Sequence, residues 1–91
     1  LEISPDNKHY LDTYGWIMYQ LGRYEEARKW IEKSIDNNAS EDAVVLEHMG
    51  DVLYKLGKKE EALMYWIQAL EAGGETSAFL ERKVKDGILY E

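Results

Sequence analysis

Two histidines, His9 and His48, and the acids beside the second are the residues of this 91-residue chain best suited by type to do chemistry. In "EHMGD", Glu47 and Asp51 stand at i, i+4, which places both carboxylates on one face of a helix with His48 beside them. Such a group could hold a divalent cation or share a proton in acid–base work. The surroundings support neither use. The segment is not the H-E-x-x-H of a zinc helix, and the absence of cysteine removes thiolate ligands, thiol nucleophiles and disulfides. No pattern marks a closed pocket in which a carboxylate pair could act on a substrate. Gly73-Gly74 leads into Glu75, which would repel a phosphate. The chain reads as non-catalytic, with no metal and no cofactor.

Composition narrows the remaining classes. With 45% apolar and 32% charged residues and a single proline, the chain suits one small folded domain rather than a disordered linker. A formal net charge of −7 argues against nucleic acid, whose phosphates call for clustered Lys and Arg, and against an anionic membrane surface. No apolar run approaches the ~20 residues of a membrane span. The opening "LEISPDN" reads as the end of an element already under way, so the sequence is expected to be a piece of a longer protein.

The elements that position these residues follow from periodicity. Ser4-Pro5 is a helix start, and Tyr10, Leu11, Tyr14, Ile17, Met18 and Leu21 recur at three- and four-residue steps until Gly22. A second helix is expected from about Tyr24 to Asp36, with Ala27, Trp30, Ile31, Ser34 and Ile35 inward, before the turn "DNNAS". Ser40 can cap a third, running to about Lys55 and carrying Val45, Leu46, Met49, Val52, Leu53 and Leu56. Gly57 breaks it. A fourth from Lys59 to Ala72 presents Ala62, Leu63, Trp66, Ala69 and Leu70. After "GGET", with Thr76 as a cap, a last helix begins near Ser77, its Leu80, Val84 and Ile88 inward and Arg82, Lys83 and Lys85 on a solvated face. Trp30 and Trp66 are expected in the core. No strand pattern occurs, so the prediction is an all-α chain of five helices.

The chain also says nearly the same thing twice. "YQLGRYEEA" at 19–27 returns as "YKLGKKEEA" at 54–62, 35 residues later. Leu11, Tyr14, Gly15, Met18, Ala27 and Ile31 are answered by Leu46, Met49, Gly50, Leu53, Ala62 and Trp66. Each unit resembles a tetratricopeptide repeat, a helix pair of about 34 residues with the pattern W-x2-L-G-x2-Y…A-x3-F…P. The closing proline is missing, with Ala39 and Gly74 in its place. The resemblance implies a right-handed α-solenoid of antiparallel helix pairs, in which each pair buries its apolar side only by stacking. It divides the chain into the end of a preceding repeat at 1–7, repeats at 8–42 and 43–76, and a capping helix at 77–91 that places Glu91 at or near the natural C-terminus. Tyr10, Tyr14 and Ile17 would then partly face the place of an upstream repeat.

The resemblance further implies a function. In the family the first helix of each repeat lines a concave groove that commonly takes peptides. The lining here would be His9, Asp12, Trp16, Tyr19 and Gln20, then Val44, Glu47, Asp51, Tyr54 and Lys55. Asp12, Glu47 and Asp51 disfavour capture of a terminal carboxylate and favour a basic or amphipathic protein segment, with aromatics as anchors. The expected role is a protein-interaction scaffold. Self-association through the uncapped N-terminal face, or service as the regulatory arm of a larger enzyme or receptor, are the alternatives. The style of the repeats resembles bacterial ones, which occur in cytoplasm and periplasm alike.

Overall fold

The computed structural model describes residues 8–36, 42–73 and 78–89. They form five helices and no strand: α1 (Lys8–Gln20), α2 (Tyr24–Ser34), α3 (Ala43–Lys55), α4 (Lys59–Ala72) and α5 (Leu80–Asp86). The all-α expectation holds. The expected start at Ser4-Pro5, the caps Ser40 and Thr76, and most of the "DNNAS" and "GGET" turns lie outside the described residues.

Short turns make α1–α2 and α3–α4 hairpins, and both turns are closed alike. Gly22 and Gly57 adopt φ +78° and +83°, a left-handed conformation that costs glycine little. Gly22 N–H donates to Tyr19 C=O at 3.0 Å and Arg23 N–H to Met18 C=O at 2.8 Å. Gly57 and Lys58 repeat the pattern onto Tyr54 and Leu53 at 3.0 and 2.9 Å. This paired bonding satisfies two of the orphan carbonyls at the end of each first helix. The carbonyls of Arg23 and Lys58 then accept from Ala27 and Ala62, opening the second helix at once. Glu25-Glu26 and Glu60-Glu61 sit in those first turns, where the helix dipole favours negative charge. The repeated "LG" and "EEA" thus encode a repeated turn.

α3 begins at Ala43, with Asp42 as its cap: Oδ1 accepts from Val44 N–H at 3.1 Å and Val45 N–H at 3.4 Å. α2 packs on α3 and α5 on α4, so the units stack in chain order. Leu11, Ala27, Ile31, Leu46, Met49, Leu53, Ala62 and Trp66 are buried, while Tyr14 and Met18 are half-buried. Val52 is fully buried, whereas Ile17, its equivalent 35 residues earlier, is 45% exposed. The difference arises because α2 lies over α3 but no described element lies over the corresponding side of α1. Tyr10 belongs to the first turn of α1, where only the backbone is described.

Some positions differ from the sequence-based expectation, Leu21 at 63% exposure among them. Trp30 is half-buried: its ring meets that of Tyr14 at 5.4 Å, tilted by 32°, and carries the Lys33 ammonium over it. It lies one residue before Ile31, the true counterpart of Trp66, and so points about 100° away around α2. Leu70, expected inward, is 42% exposed because the short α5 leaves that edge of α4 uncovered. α5 itself stops at Asp86, where left-handed Gly87 ends it, so Ile88 is exposed and Leu89 turns back to the core.

Gly15 and Gly50 mark the two helix crossings. A Cβ on Gly50 would strike the Trp66 ring and lie 3.0 Å from Ala62 O; one on Gly15 would strike the Ile31 side chain and lie 3.1 Å from Ala27 O. Alanine would gain about 1 kcal/mol of helix propensity against about 1–3 kcal/mol of overpacking. Gly50→Ala is therefore expected to destabilise, and by more than Gly15→Ala, because the indole is pinned by a hydrogen bond to Asp51 while Ile31 can shift. Urea denaturation of the two variants checks this, and the reverse order would show the indole to be the softer neighbour.

Candidate interaction surface

α1 and α3, the first helices of the two units, lie side by side and touch. The residues between them are joined rather than loose. Asp12 and His48 pair through Nδ1 at 2.9 Å to Oδ1 and 3.2 Å to Oδ2. The Trp16 indole stacks on the His48 ring at 4.0 Å and on Tyr19 at 4.6 Å, and Tyr24 meets Tyr19 edge-on at 5.4 Å. Tyr19 is buried and Trp16 half-buried. Tyr54 is also half-buried, between the Trp66 ring at 5.8 Å and the Lys59 ammonium at 5.5 Å. Gln20, Val44 and Lys55 are exposed. His9 falls in the first turn of α1, where only the backbone is described. Val44, His48 and Lys55 share one face of α3, and Trp16 and Gln20 one face of α1.

Glu47 and Asp51 are placed otherwise than on an open groove. Each is 4% exposed. Lys83 of α5, expected on a solvated face, is itself 3% exposed and drives its ammonium between them, 2.7 Å from Glu47 Oε2 and 2.8 Å from Asp51 Oδ1. Trp66 Nε1–H donates to the same Asp51 oxygen at 3.0 Å. Arg82 and Lys85 do remain exposed. Burial pushes the Asp51 carboxyl up to about 6, with Glu47 adding to the rise and the bonds from Lys83 and Trp66 pulling back. Loss of water outweighs the ion pair.

These contacts repeat with the fold. Asp12 to His48 and Glu47 to Lys83 both span 36 residues, joining a carboxylate on one first helix to a base on the next. One turn on, Trp16 touches His48 and Asp51 touches Lys83. The wiring is shared and the chemistry differs. The sequence carried a signal for this: Lys83 lies 35 residues after His48, and Glu47 lies 35 after Asp12.

Among the described residues no group of three or more His, Asp or Glu could hold a metal ion, and no helix is long and apolar enough to cross a membrane. Residues 9–41 match a family model described as a tetratricopeptide repeat, and residues 43–76 match a second with the same description. The search of curated proteins returned no match.

Proposed function

The chain belongs to the tetratricopeptide-repeat family, whose repeats generally mediate protein–protein interaction, and from that premise we propose that it is a non-catalytic scaffold binding an amphipathic protein segment along α1 and α3. The observation that carries the reading is the strip formed by half-buried Trp16 and His48 with exposed Gln20, Val44 and Lys55. Its aromatic floor is fixed by stacking, so an apolar side chain settling there meets surface already in place. Glu47 and Asp51 answer Lys83 and take no direct part. Preference for a basic partner then falls to Asp12 and to the overall charge of −7.

Selection of displayed peptides against the chain tests this. Peptides with spaced apolar residues are expected, and Val44→Glu, at an exposed site, should weaken them about tenfold or more. Selection that enriches nothing, or peptides indifferent to Val44→Glu, would sink the reading.

A second reading is self-association through the end of the stack, favoured by Ile17 at 45% and Leu21 at 63% exposure. Sedimentation equilibrium decides it: dimerisation abolished by Ile17→Lys supports it, and a monomer at every concentration does not.

A further inference from the structure

α5 is only seven residues long, too short to hold itself together, so its order depends on what it packs against. Leu80 is buried and Val84 and Leu89 pack on the core. Lys83 adds a polar attachment, reaching past them to two acids on α3. One ammonium is shared by two carboxylates, and all three side chains are only 3–5% exposed, so Glu47 and Asp51 repel one another away from water when both are ionised.

The groups facing Asp51 are Glu47 from its own helix, the Trp66 indole from α4 and the Lys83 ammonium from α5. The pair Asp12–His48 ties α3 to α1 and does not reach it with a hydrogen bond. Trp66 N–H and Lys83 both donate to Oδ1, and Lys83 also holds Glu47 Oε2. A proton on Asp51 removes its repulsion with Glu47 while leaving the Lys83–Glu47 bond intact.

We propose that the cluster of Glu47, Asp51, Trp66 and Lys83 is a proton-dependent latch on α5, which docks with one proton bound at Asp51 and releases it to solvent on detaching. The direction follows from linkage. Docked, the carboxyl is raised to about 6; detached, it faces water and returns toward 3.8. A group raised in the docked state favours docking at acid pH, and that contribution is lost as pH rises through the docked value. Between the two values detachment rises about tenfold per pH unit, approaching roughly a hundredfold in all, and above the docked value it levels off. The latch is tight in mild acid and looser at neutral pH, and what it uncovers is the side of α4 that α5 occupies.

The test uses the intact chain and two readouts. Carbon-detected NMR follows the Asp51 carboxyl directly, and amide exchange, corrected for intrinsic rates, follows 80–86 against α1 and α2. The expected result is an Asp51 midpoint near pH 6, with α5 protection falling roughly 20- to 30-fold from about pH 4.5 to about pH 7.5 while α1 and α2 stay level. In Asp51→Asn the α5 dependence should disappear. A midpoint at the ordinary carboxylate value, α5 protection that does not change with pH, or the same slope in Asp51→Asn overturns the proposal. If that variant does not fold, the two wild-type measurements still decide.

Discussion

Lys83→Ala is expected to cost about 3–5 kcal/mol at neutral pH, an effect large enough to unfold much of a small domain whose whole stability is about 5–15 kcal/mol. The loss does not come from the ion pair as such. It comes from leaving Glu47 and Asp51 buried without the ammonium that each held at 2.7–2.8 Å. Both acids must then ionise against one another in a dry site or take up protons. The stability of Lys83→Ala should therefore climb steeply on acidification, and much of the loss should be recovered near pH 4 as both acids neutralise.

The control replaces the whole cluster. Lys83→Met with Glu47→Gln and Asp51→Asn keeps the stem volume and removes all three charges, and it is expected to match or exceed the wild type at neutral pH. Urea denaturation of the three proteins at two pH values gives the answer. A Lys83→Ala loss below about 1 kcal/mol, with no dependence on pH, would mean that water reaches the two acids and that the cluster is a surface feature.

The turns were legible because their residues have local reasons: Gly22 and Gly57 take a conformation few others accept, and the residues bonded to each other lie within six positions. The close crossings were legible too, since Gly15 and Gly50 each pair with a small residue and a large one at fixed distance in the chain. Charge burial has no such local mark. Arg82, Lys83 and Lys85 look alike locally, and only the 35-residue register that sets Lys83 in the place of His48 distinguishes the one that turns inward. Glu47 and Asp51 likewise share the i, i+4 spacing of a solvated acidic face, and only Lys83, 36 and 32 residues further on, makes them interior. For the same reason the strip of Trp16, His48 and Val44 was half visible: its helices and faces follow from period, but the bond to Asp12 that fixes His48 crosses between units.

Trp66→Ala should be the most damaging single change in the fold. Its side chain is fully buried, fills the space left by Gly50, stacks near Tyr54, lies 5.9 Å beneath the Lys83 ammonium and donates to Asp51. Truncation removes the largest buried side chain and leaves a cavity, at about 3–5 kcal/mol, and it also deprives a buried carboxylate of a donor. Trp66→Phe separates the two contributions. Phenylalanine keeps an aromatic ring opposite Gly50 but cannot donate, so it should cost about 1–3 kcal/mol for the lost bond and a little more for the lost volume. Denaturation midpoints with amide exchange of 80–86 distinguish the outcomes. If Trp66→Phe costs as much as Trp66→Ala, the hydrogen bond to Asp51 holds the junction and packing is secondary. If Trp66→Phe is close to wild type in stability yet loses protection in α5 alone, the indole N–H acts mainly on the latch, and the stack of α3 on α4 rests on ring volume. If Trp66→Ala itself is tolerated within about 1 kcal/mol, the crossing at Gly50 has collapsed onto another side chain and the buried indole is not what joins these helices.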